Sequence, residues 1–124
     1  MDQKTENPVI EWVRIKDTDC LKFTFTGILN ADEADIAIAI WRQEFASRKG
    51  EKTVIIWNCI KMLDYEPKAR VKWQNTMKEF KDQIASIWLV TDSLIIKTGA
   101  AIMGIFTSLD INVVSSEDKV LAKK

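Results

Sequence analysis

The sequence predicts a single α/β domain on a mixed, mostly parallel sheet of about five strands, in the order β-β-α-β-α-β-α-β-α. Three observations predict it. The chain has 124 residues, enough for one domain of ordinary size. Two runs, TVIIWN at 53–58 and IASIWLV at 84–90, are nearly continuous in apolar, β-rich residues, as parallel strands covered on both faces read. Around them lie segments with apolar residues at helical spacing, and strands that alternate with helices build βαβ units.

Residues 1–8 are polar and read as a flexible lead-in. Val9 to Lys16 and Cys20 to Ile28 are short strand-like runs joined by Asp17, Thr18 and Asp19, a connection of hairpin length. In the second run Leu21, Phe23 and Phe25 alternate with Lys22, Thr24 and Thr26, which predicts one dry and one wet face. Asn30 or Asp32 can cap the helix that follows, and its first turn carries Asp32, Glu33 and Asp35 at the positive end of the dipole. Ala34, Ala37, Ile38, Trp41 and Phe45 form its core stripe, and Gly50 supplies a left-handed stop. A second helix from about Pro67 to Lys81 buries Ala69, Trp73, Met77 and Phe80. A third runs from about Ser93 to Ser108, followed by a strand at Ile111 to Val114 and a turn or short helix from Glu117.

The absence of histidine removes imidazole triads, histidine-ligated zinc and the side chain best suited to proton transfer at neutral pH. Eighteen basic residues against eighteen acidic ones do not suggest a nucleic-acid binder. No glycine-rich phosphate loop, calcium loop or metal-spaced cluster is present, so no cofactor or metal is expected. Asp64 and Glu66 fix no acid–base geometry at their spacing and read better as helix caps. Cys20 and Cys59 stand alone and read as small buried hydrophobes. The opening residues do not resemble a secretory signal, and the longest uncharged stretch, Thr98 to Leu109, is too short to span a bilayer. A cytoplasmic location with no integral membrane segment is expected.

Three features point to surfaces. Ile36 and Ile40 lie opposite the core stripe of the first helix and are either scattered surface residues or a contact stripe for a dimer. Trp57 and Trp88 on the central strands are either ordinary core or, if the helices cover the face opposite them, an exposed aromatic patch for a partner or an apolar ligand. The third helix is apolar around most of its circumference, with Gly99 and Gly104 inside it. Close packing explains the glycines; the alternative is room for an apolar ligand lined by Ile95, Gly99, Ile102, Met103 and Phe106.

The stretch TVIIWNCIKMLDYEPKARVKW, followed by IASIWLVTDSLI and INVVSSEDKVLA, resembles the SpoIIAA-like branch of the STAS domains, modules of sulfate transporters and anti-sigma-factor antagonists. The likeness runs from Val9 over nearly the whole chain and rests on apolar strand patterns and an Ala-Arg helix start. It implies βα units wound as a right-handed superhelix, as also found in CRAL-TRIO lipid-carrier domains. It further implies a non-catalytic regulatory or protein-interaction domain, self-associating as a homodimer, or alternatively a carrier or sensor of a small apolar or lipid-like ligand. In the anti-sigma antagonists an Asp-Ser-Ser motif opens the second helix, and phosphorylation of its serine breaks a partner complex. The matching loop here is Asp64, Tyr65 and Glu66 before Pro67, with no serine or threonine after Asp64, so no such switch is implied. The last helix also lacks the Trp-Leu ending of the branch, which marks the chain as a divergent member.

Overall fold

The computed structural model describes residues 7–122. Five strands, β1 (Val9–Ile15), β2 (Thr18–Leu29), β3 (Thr53–Tyr65), β4 (Ile84–Val90) and β5 (Ile111–Val114), form one sheet in the order β1-β2-β3-β4-β5. β1 runs antiparallel to β2, and every later pairing is parallel. The parallel strands are joined through helices α1 (Ala31–Ala46), α2 (Pro67–Glu79) and α3 (Leu94–Thr107). Right-handed crossovers between strands laid down in sequence order deposit each helix on the same side of the sheet. All three helices share one core with that side.

That core is aromatic. Leu21, Phe23 and Phe25 of β2 meet Trp41 and Phe45 of α1 and Trp73 of α2. Trp41 lies 5.3 Å from Phe23, 5.3 Å from Trp73 and 5.7 Å from Phe80, ring centre to ring centre. The predicted stripe of α1 is the observed one: Ala34, Ala37, Ile38, Trp41 and Phe45 are its buried residues. Asn30 caps the helix reciprocally, its Oδ1 accepting from Glu33 N at 2.8 Å while Asn30 N donates to Glu33 Oε1 at 3.1 Å. Across α1 and α2, Lys72 of α2 pairs with Asp35 of α1 at 3.1 Å and Arg42 of α1 pairs with Glu79 of α2, so each helix gives one cation and one acid to the contact.

The opposite face of the sheet is closed by the chain's end. Val120, 1% exposed, inserts among Cys20, Val54, Ile56 and Val90. A short 3-10 turn at Glu117–Lys119 precedes it, held by Lys22 Nζ on Glu117 Oε2 at 2.7 Å and by Asn58 Nδ2 donating to the same carboxylate. Burial alone would raise the Glu117 pKa, but the bonds from Lys22 and Asn58 outweigh it and hold the carboxyl below its usual 4.5. A depressed folded-state pKa gives stability that is fully present above the unfolded value and is lost as pH falls through the folded one. The urea midpoint of the wild type should therefore stay flat toward pH 5 and drop below about pH 4.5, and Glu117→Gln should shrink that drop. Asp19, lowered by hydrogen bonds from Arg48 and Arg14, keeps part of it. Parallel acid limbs for the two proteins would show that the Lys22–Glu117 contact adds nothing.

Four expectations need correction. First, β3 does not stop at Asn58 but runs on to Tyr65 beside β2, with register shifts between Thr24 and Thr26 and between Gly27 and Ile28. Asp64 and Tyr65 therefore end a strand rather than occupy a loop. Second, Trp57 and Trp88 do not share a face. Ile56 is aligned with Trp88 and Trp57 with Leu89, so Trp57 lies under the helices at 3% exposure while Trp88 is half-buried on the other side. Third, Glu66 begins α2 but caps a different helix, its Oε1 accepting from Ala31 N of α1 at 2.9 Å. Fourth, of the flexible lead-in over 1–8, residues 1–6 lie outside the described residues, whereas Asn7 and Pro8 are buried and Asn7 Oδ1 accepts from Thr26 N at 2.8 Å.

Candidate functional site

α3 has two unlike sides, and both are candidates for function. Ser93 caps it, with Oγ accepting from Ile96 N at 3.3 Å, and Ser108 in the left-handed region ends it. At 100° per residue Ile96, Gly99, Ala100, Met103 and Thr107 fall on one side. Apart from half-buried Met103, these residues are buried.

The outer side carries Leu94 at 78%, Ile95 at 53%, Ile105 at 79% and Phe106 at 60% exposure, with Ile102 partly exposed between them. Thr98 and Ala101 complete that arc, which contains no charged residue. A groove between α3 and the edge strand β5 adjoins that arc; Ala101, Ile105, Leu109, Ile111 and Val113 line it together with the charged Lys97 and Asp110, so the uncharged surface ends there. The largest apolar patch of a typical monomer is about 300–600 Å² and is often functional. Side chains this exposed place on the order of 500 Å² here.

Beneath the inner side lies a cavity of about 50 Å³ between α2, α3 and the sheet. Phe25, Trp57, Cys59, Met62, Tyr65 and Trp73 line its floor, and Ile96, Gly99, Ala100 and Met103 its roof. Of the five residues predicted to line a ligand space under the third helix, Gly99 and Met103 do so. Ile95, Ile102 and Phe106 turn outward instead, because a helix whose apolar residues cover most of its circumference cannot bury them all against one sheet. Gly99 lets α3 pass close over the side chain of Tyr65 at the end of β3: a Cβ there would collide with Tyr65 Oη. The close-packing explanation of that glycine is the one the structure gives.

Polar groups in this region are few. Trp57 Nε1 is buried without a hydrogen-bond partner among the described residues. Burial pushes the Cys59 thiol up to about 12, which keeps it protonated and unreactive as a nucleophile. Arg70, half-buried on α2, reaches the rim of the cavity. Among the described residues no group of three or more His, Cys, Asp or Glu could hold a metal ion, and no helix is long and apolar enough to cross a membrane.

The remaining predicted residues do not converge. Ile36 is 39% exposed and Ile40 half-buried on α1, remote in sequence and element from α3. Asp64 Oδ1 accepts from Tyr65 N at 2.8 Å, and Glu66 is spent on α1. The floor of the cavity was missed by sequence reasoning because Cys59, Met62 and Tyr65 belong to the unrecognised half of β3. Their spacing of three is the signal of the register shifts.

No protein-family model and no curated protein matches the sequence. Among solved structures the chain is similar to an uncharacterized protein of the DUF3478 family with a SpoIIAA-like fold from Shewanella loihica PV-4. The TM-score is 0.78 at 12% identity, over 93% of this chain and 91% of that one. The fold is therefore SpoIIAA-like.

Proposed function

We propose that the protein is a non-catalytic interaction domain that pairs with a second copy of itself through the outer side of α3. The observation that carries this is the uncharged, exposed arc Leu94–Thr98–Ala101–Ile105. Its spacing of four, three and four is the same read in either direction, with large residues at the ends and small ones in the middle. Antiparallel α3 helices can then set Leu94 against Ile105 of the second copy and cross closely at Thr98 and Ala101, an isologous contact. Two such patches bury roughly 1,000 Å², the lower bound of a specific interface. The lack of histidine and the burial of both thiols support a role without catalysis. The strand-to-helix junction at 64–67 offers no serine for a phosphate switch.

Sedimentation velocity tests it. The wild type should be dimeric at micromolar concentration, and Leu94→Glu with Ile105→Glu should make it monomeric with an unchanged far-UV spectrum. Ile36→Lys with Ile40→Glu should leave the dimer intact. A monomeric wild type at 100 μM, or a dimer that survives the α3 double substitution, would overturn the proposal. Dissociation by the α1 pair instead would move the interface to that helix.

A further inference from the structure

The cavity under α3 has a chemistry that pairing through the outer side does not use. Its walls are mostly apolar, and each polar side chain that lines it can donate: the Trp57 and Trp73 indoles, the Tyr65 hydroxyl, the Cys59 thiol and the Arg70 guanidinium. No carboxylate or amide side chain lines it. The Trp57 donor is buried with no acceptor among the described residues, a costly state for a polar group. Arg70 has no carboxylate within ion-pair distance among those residues, and its Nη1 donates to Gln74 Oε1 only at a long 3.5 Å. A greasy space with one uncompensated cation at its rim asks for a ligand with an apolar tail and a negatively charged head, and the buried Trp57 N–H lies where it would report the tail.

We infer that the cavity binds a small monocarboxylate with a short aliphatic tail, the tail lying among Phe25, Trp57, Met62 and Trp73 and the carboxylate resting on Arg70 at the rim. Arginine meets a carboxylate with two parallel N–H bonds, which suits a planar head group at a cavity mouth. Size sets the tail. An engineered apolar cavity of about 150 Å³ takes benzene, so about 50 Å³ encloses roughly the last two carbons of a tail, with the remaining carbons at the open mouth and the head group outside. An ammonium head would face a guanidinium and no acid. A long acyl chain would need the floor and roof to separate.

Pentanoate is the probe. Titrated into the full chain, it should shift the Trp57 indole N–H resonance, assigned with Trp57→Phe, and saturate in the millimolar range or below. Pentan-1-ol and pentylammonium should bind about tenfold or more weakly. Arg70→Gln should weaken pentanoate about tenfold without affecting pentan-1-ol, and Arg70→Lys should recover part of the loss. The far-UV spectrum checks that both variants fold. Absence of any Trp57 shift up to 50 mM pentanoate would overturn the site, as would equal affinity of wild type and Arg70→Gln. Sedimentation of Arg70→Gln should match the wild type, so failure of this site and failure of the α3 pairing are read separately.

Discussion

Trp41→Ala is expected to cost about 3–5 kcal/mol, which takes a domain of ordinary stability, about 5–15 kcal/mol, close to unfolding. Trp41 is fully buried and joins the two helices that form most of the core: its ring meets Phe23 of β2, Phe45 of its own helix, Trp73 of α2 and Phe80 beyond it. Removing it leaves a void bordered by rigid rings, which collapse around a hole poorly. Trp41→Phe should cost less than half as much. The indole Nε1 has no acceptor among the described residues, so its removal breaks no hydrogen bond and only lost volume counts. Urea unfolding of both variants checks this, and a loss under about 1.5 kcal/mol for Trp41→Ala would show that the cluster repacks freely.

Val120→Asp should undock the end of the chain. The carboxylate would enter a pocket of Cys20, Val54, Ile56 and Val90 with no cation in it, and a charge there costs more than the segment gains by staying. The loss is then capped at what docking contributes, about 2–3 kcal/mol from the valine side chain and the contacts beside it. Thiol labelling reads the event. Cys20 should react at least tenfold faster once uncovered, while Cys59, in the core under the helices, stays protected. Equal protection of both thiols in the variant would mean that Val120 does not shield the sheet.

How legible this was depended on whether the information lay within one element. The α1 stripe and the bounds of β4 and β5 are properties of single segments, and each is as the sequence implies. Two failures arose between segments. Strand alternation orders side chains within β3 and within β4, but says nothing of the parity between them, which the Ile56 to Trp88 alignment sets. The second half of β3 was hidden because two irregularities make its helix-facing residues step by three, Cys59, Met62 and Tyr65, so that Ile60 and Leu63 fall outside. A period of three resembles neither a clean strand nor a helix. The two sides of α3 were illegible for the opposite reason, an excess of apolar residues with no gap to mark where burial ends.

The order of the sheet also sets the order of events in folding. Each strand of the series β1 to β5 pairs with its predecessor in sequence, so each addition closes a short loop and none waits for a distant part of the chain. Seating Val120 against Cys20, with Glu117 on Lys22, is the exception: it joins the start of the domain to its end. A contact that closes nearly the whole chain is expected to form after the barrier, and the clasp should then govern how fast the domain opens and hardly how fast it forms. Its loss should raise the unfolding limb of a chevron while the refolding limb stays in place. A domain built this way can assemble strand by strand, and gains its kinetic lock only when Glu117 and Val120 dock on the sheet.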